Sequence, residues 1–219
     1  MIFFNIHTHK PSHQTEVLEI VNQYPQEFDS SLSNYSIGIH PWYIVVDSIE
    51  SDLQVIGNKL LENNCLAIGE CGLDKRVATS MALQLMVFEK QLALAEKFQK
   101  PVILHCVAAF QELIAIKKKL KITVPMIIHG FSKNIEVANQ LVQNGFYLSF
   151  GKYLFFNKEL ELVFNSIPND RLFLETDTIE QDIREVYELA AKYKNIEVEE
   201  MKAIIKTNFN TVFNRINKK

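Results

Sequence analysis

IFFNIHTH, residues 2–9, is an apolar run that ends in two histidines one residue apart. Ile2, Phe3, Phe4 and Ile6 give it the apolar character of a strand buried on both faces. Side chains at i and i+2 of a strand leave the same face, so His7 and His9 present two imidazoles together where the strand ends. That is a bidentate grip for a metal ion. A strand-end histidine can equally be a hydrogen-bonded, half-buried residue, and the rest of the chain has to decide between the two.

Outward from this stretch the pattern repeats. YSIGIHP, CLAIGE, PVILHC, PMIIHG, FYLSFG and RLFLETD are short apolar runs, most of them ending in a residue capable of chemistry. Amphipathic stretches separate them, most plainly Ser80 to Phe98, where Ser80 can cap the start and Pro101 forbids continuation. Further helices are expected around Phe110 to Leu120, Asn134 to Asn144 and Lys158 to Phe164, with two more after Gln181. Continuous apolar runs alternating with helices imply a parallel barrel or a doubly wound sheet. Residues 10–36, 27 positions, leave no room for a helix, a strand and a second helix, so EVLEIVN at 16–22 is read as a strand without its helix. The expectation is a TIM-like (β/α) barrel, distorted or shortened, of seven to eight parallel strands. No linker or composition shift marks a boundary, so residues 1–219 are read as a single domain.

Composition fits an ordinary globular protein, at 47% hydrophobic and 22% charged residues. No apolar run approaches the roughly 20 residues of a membrane span, and the start lacks the layout of a signal peptide, so a cytoplasmic location is expected. A net charge of -3 gives no global attraction to nucleic acid. The lysines at 117, 118, 119 and 121 read as a solvated helix end. Cys65, Cys71 and Cys106 form no CxxC pair and read as reduced thiols, each a small buried hydrophobe.

The polar residues decide the chemistry. His7 and His9 close one strand, His40 another, and Glu70, His105, His129 and Asp177 close four more. Five of the six histidines thus sit where functional residues of parallel barrels gather. Four imidazoles (His7, His9, His105, His129) and two carboxylates (Glu70, Asp177) suffice for two divalent ions, and a mixed nitrogen and oxygen set without thiolate suits Zn, Mn, Fe or Mg. The natural chemistry is metal-assisted hydrolysis.

These residues stand in seven ordered motifs, NIHTH, GIHP at 38–41, AIGECGLD at 67–74, PVILHC at 101–106, IIHGFS at 127–132, GFYLSFG at 145–151 and LETD at 174–177, with NFNTVF near the end. Over nearly its whole length the chain resembles the TatD family of metal-dependent hydrolases and nucleases, among the amidohydrolase-like barrels. The resemblance implies that His7, His9 and Asp177 hold one ion and His105 and His129 the other, with Glu70 bridging. It implies catalytic roles for Asp177, as the base acting on water, and for Glu70, and a contact from His40 to substrate phosphate. Glu175 is expected to orient a ligand histidine; Asp74 either does the same or fixes the turn after GECGL. His13 reads as an exposed loop residue, Trp42 as packing before base stacking, and Gln84, Phe88 and Gln91 as structural.

Two departures bear on substrate. Where the family often has an arginine two residues after the histidine of the fourth motif, this chain reads His105-Cys106-Val107. The loop after Asp177 is Thr178-Ile179-Glu180-Gln181, without the usual proline and with added negative charge. The first reading is a 3'-5' exonuclease-type phosphodiesterase with single-stranded DNA or another phosphodiester as partner. The alternative is a hydrolase of a small-molecule amide, ester or phosphomonoester at the same site. A phosphatase of the other barrel family that opens on paired histidines is disfavoured, since Lys10 and Pro11 follow where an acid is expected. A non-catalytic relative is disfavoured by the presence of all six ligands.

Overall fold

The computed structural model describes residues 2–213; Met1 and residues 214–219, which the single-domain expectation included, lie outside them. Eight strands form one sheet in sequence order: β1 (Phe3–Thr8), β2 (Val17–Gln23), β3 (Tyr35–Ile37), β4 (Cys65–Asp74), β5 (Val102–Val107), β6 (Met126–Ile128), β7 (Phe146–Phe150) and β8 (Leu172–Leu174). The registered pairs β1/β2, β3/β4, β4/β5 and β7/β8 are all parallel. Every residue of β1, β6, β7 and β8 is buried. Strands covered on both faces gain nothing from in/out alternation, which is why the sequence shows none.

Eight helices accompany the strands among the described residues: α1 (Ile49–Lys59), α2 (Met81–Phe98), α3 (Phe110–Leu120), α4 (Ile135–Gln143), α5 (Lys152–Phe156), α6 (Leu160–Ser166), α7 (Ile183–Lys194) and α8 (Val198–Phe213). Local chemistry sets their ends. Ser80 accepts from the Leu83 amide and Asn134 from the Val137 amide, each satisfying a donor the helix leaves open. Lys117, Lys118 and Lys119 fill the last turn of α3, the favourable end of its dipole. No helix separates β1 from β2 or β2 from β3, as the short spacing required. α1 and α5 lie outside the helices expected from the sequence.

The chain gathers into two compact units, one of Met1–Val21 with Ile128–Lys219, the other of Asn22–Ile127. In the first unit β8 meets β1: Thr8 forms a parallel bridge with Asp177, and α8 covers both strands with Phe209 against Phe4 and Phe213 against Phe173. The Tyr187 hydroxyl of α7 donates to the Phe4 carbonyl and accepts from its amide, fixing that helix on β1. In the second unit α2 is latched by two buried amides. Gln84 accepts from the Asp74 amide and donates to the Asp74 carbonyl; Gln91 does the same with Ile39. These glutamines, with fully buried Phe88 between them, are structural and pin the residues beside His40 and at the end of β4.

Candidate metal centre

In the first unit the donors converge through the backbone. Asp177 takes a left-handed conformation, φ 56°, which aspartate tolerates better than most side chains. In that pose its amide donates to the His7 carbonyl at 3.0 Å and its carbonyl accepts from the His9 amide at 3.1 Å. The carboxylate is thereby set over the end of β1, with Oδ1 3.5 Å from His9 Nε2 and 3.8 Å from His7 Nε2. Four donor atoms around an ion at about 2.1 Å stand roughly 3.4 Å apart, so these spacings suit a shared cation. His7, His129 and Asp177 form one group whose ligand atoms all lie within 4.8 Å of one another.

Behind this group lies Glu175, fully buried. Its Oε1 accepts from the Gly130 amide at 2.7 Å and sits 3.4 Å from His129 Nδ1. Burial pushes its carboxyl up, but the hydrogen bond from His129 and the nearby His129 and His7 rings outweigh that and hold it below the usual carboxylate range. It is placed to orient His129. Asn5 and Thr176 exchange two hydrogen bonds between the NIHTH and ETD motifs, a contact the sequence reading missed. The signal available was a polar residue inside an otherwise apolar strand.

The second unit uses side chains. Gly69 and Gly72 have φ of 142° and 143°, and a Cβ at Gly72 would collide with the His105 carbonyl. Only glycine permits β4 to lie so close to β5 on both sides of Glu70. The Glu70 amide donates to Asn22 Oδ1 at 2.6 Å, another support the sequence reading missed, although Asn22 is the polar end of the VLEIVN strand. Glu70 Oε1 is then 2.9 Å from His105 Nδ1 and 3.2 Å from His40 Nε2. His40, Glu70 and His105 form a second group with all ligand atoms within 4.8 Å. His40 therefore stands inside a three-donor group, a place its expected role as a phosphate contact did not include.

Asp74 touches both the turn and His105. Its Oδ1 accepts from the Arg76 amide and fixes the turn, while its Oδ2 lies 3.1 Å from His105 Nε2 and 2.7 Å from the indole nitrogen of Trp42. A metal-bound histidine usually donates its other ring N–H to a carboxylate, and Asp74 offers one at His105 Nε2. Burial raises the Asp74 carboxyl, but hydrogen bonds from Trp42, Arg76 and His105 together hold it low. Trp42 is not packed inside: it is 55% exposed, tethered at the surface by that indole hydrogen bond. His13 is exposed, as expected. Cys65 and Cys71 are buried and Cys106 is half-buried; burial pushes the Cys65 thiol up to about 12, leaving it inert as an acid or nucleophile.

A cavity of about 470 Å³ opens in the first unit with His9 and Asp177 in its wall. Lys10 is one cation there; Glu19, Glu180 and Asp182 bring negative charge. Among the described residues no helix is long and apolar enough to cross a membrane.

Parallel strands joined by helices, with imidazoles and carboxylates grouped at strand ends at ligand spacing, define an α/β barrel that carries a candidate metal site. The family model described as TatD related DNase matches residues 1–214, and the chain belongs to the TatD family. It is 35% identical over 167 residues to an uncharacterized metal-dependent hydrolase of Bacillus subtilis, covering 74% of this chain and 63% of the relative. A Mycoplasma genitalium protein of the same description is 30% identical over 221 residues, 90% of this chain and 82% of that protein. The chain thus spans under two thirds of the Bacillus relative. A TatD homolog of Escherichia coli superposes with a TM-score of 0.83 over 97% of this chain and 98% of that one, at 21% identity. A TatD family hydrolase of Entamoeba histolytica gives 0.78 over 97% and 98%, at 18% identity. The fold is that of these TIM-type barrels, with eight parallel strands.

Proposed function

We propose that the chain is a metal-dependent hydrolase with a two-metal site, a phosphodiesterase of the 3'-5' exonuclease type acting on ends of single-stranded DNA. The observation that carries this reading is the pair of donor groups, His7/His129/Asp177 and His40/Glu70/His105, each compact enough to hold an ion. His9, within 3.5 Å of Asp177, completes the first set. Divalent ions held by these two groups would supply Lewis acidity and lower the pKa of a bound water. Asp177, kept in place by two backbone hydrogen bonds, orients the attacking water and accepts its proton. His40 adds a donor toward the charge that develops on the phosphoryl oxygens. Family membership and relatives named as metal-dependent hydrolases support the reading.

A second reading, hydrolysis of a small-molecule ester, amide or phosphomonoester, is favoured by the missing arginine after His105 and by the acidic wall of the cavity beside Asp177. Both features disfavour an additional phosphate. The test is end-labelled single-stranded DNA incubated with protein stripped of metal and reloaded with Mg, Mn or Zn. Metal-dependent mononucleotide release that disappears in Asp177→Asn is the expected result. No release in any metal, with ions shown to be bound, would move the activity to small esters.

A further inference from the structure

Trp42 is the only tryptophan of the chain and is 55% exposed. Tryptophan is on average highly buried, with a polar handle in its N–H. Two polar contacts hold this one. It sits in a single turn of 3-10 helix, Pro41–Tyr43, where its amide donates to His40 Nδ1 at 3.1 Å and leaves Nε2 of that ring for Glu70. Its indole N–H donates to Asp74 Oδ2, the same oxygen that meets His105 Nε2. The indole stands edge-on to both imidazoles, 5.0 Å from His40 and 5.6 Å from His105, and Tyr43 beside it is half exposed. An aromatic face is thus presented to solvent at the margin of a ligand group, with its orientation fixed by the residues that orient the ligands.

We propose that Trp42 is a stacking platform for a nucleobase at the end of the substrate strand, and that the shared Asp74 oxygen makes platform and His105 one rigid unit. The ring matches any planar base, because every base offers a π-face, so the platform would confer affinity without sequence preference. A base stacked there places its own phosphate near His40 and His105, the function the missing arginine does not serve in this chain. The choice of a nucleobase rests on the phosphodiesterase reading; the measurement below does not need turnover.

The lone tryptophan is its own reporter. The Mg-loaded full chain is titrated with dAMP and, separately, with deoxyribose 5-phosphate, which has no base. The expected result is quenching of tryptophan emission by dAMP alone. By equilibrium dialysis Trp42→Ala weakens dAMP binding roughly five- to a hundredfold, Trp42→Phe keeps most of it, and deoxyribose 5-phosphate binds all three proteins alike. Absence of quenching, or equal weakening of both ligands, overturns the platform. Quenching with no cleavage of labelled DNA keeps the platform and removes the nuclease reading, whereas cleavage without quenching does the reverse.

Discussion

The two compact units each carry a three-donor group, and they differ in how its carboxylate is held. In the first, Asp177 is fixed by main-chain hydrogen bonds to His7 and His9 and by an unusual φ, so its position is written into the β1/β8 pairing. In the second, the side chains of Asn22 and Asp74 hold Glu70 and His105, while Gln91 pins the Ile39 backbone beside His40 and the Trp42 amide donates to the His40 ring. Main-chain support survives most side-chain substitution. Support by side chains can be removed one residue at a time, so the second group is the one in which mutations away from the donors should be felt.

The largest effect is expected in the first group, at the donor itself. Asp177→Asn keeps both backbone hydrogen bonds and tolerates the same φ, but loses the charge and the proton acceptor. A kcat lower by roughly 10²–10⁴-fold with an unchanged melting temperature is expected, measured on whichever substrate the wild-type chain turns over. A large loss of stability instead would show that the carboxylate, and not the main chain, organises that end of β1.

Next is a support of the second group. Asp74→Ala leaves every donor in place and removes the partner of His105 Nε2, and losses of this kind weaken metal binding roughly 10–100-fold. Titration of the stripped protein with Mn or Zn by calorimetry reads it directly. The parallel change in the first unit, Glu175→Gln, keeps an acceptor for the Gly130 amide and should cost less. Equal losses at the two positions would break the contrast between the units.

Most of this arrangement was legible in the sequence at the level of donors, and little of it at the level of their supports. The apolar runs announce strands because parallel strands are buried on both faces, and a histidine or carboxylate at the end of such a run has few structural reasons to be there. The bounds of α3 and the Ser80 and Asn134 caps follow from local chemistry that a sequence displays. Asn5 and Asn22 were missed for the opposite reason: a polar residue in a strand names no partner, and the Thr176 and Glu70 contacts join positions 171 and 48 residues apart. Trp42 was misjudged because apolar size predicts burial, and only the fold shows that Asp74 offers its N–H a partner near the surface.

Asn22 therefore supplies a third test. Asn22→Ala leaves the buried Glu70 amide without its acceptor, which costs about 1–3 kcal/mol. For a chain of this size each kcal/mol lowers the melting temperature by roughly 2–4 °C. The weakening of metal binding should be smaller than in Asp74→Ala, because Glu70 keeps its contacts to both histidines. A drop in stability with no change in metal affinity would reduce Asn22 to a fold residue and narrow the side-chain support to Asp74 and the Trp42 turn.

The smallest effect tests whether the first unit tolerates side-chain loss near its cavity. Asp182 caps α7 in a reciprocal box with Glu185 and also accepts from Gln14 at 2.7 Å, tying the loop after β1 to that helix. Losing such a cap costs about 1 kcal/mol, so Asp182→Ala should melt roughly 2–4 °C below wild type at neutral pH, with metal binding unaffected. Partial burial raises this carboxyl, but hydrogen bonds from Gln14 and the Arg184 amide hold it below its ordinary value. A carboxyl lowered on folding contributes stability that is present above its unfolded pKa, about 3.9, and is lost as pH falls through the folded value. The gap between wild type and variant should therefore close in acid below about pH 4. A gap that persists there would assign the effect to packing of the cavity wall rather than to the charged cap, and a change in metal affinity at any pH would show that the backbone clamp on Asp177 depends on this loop after all.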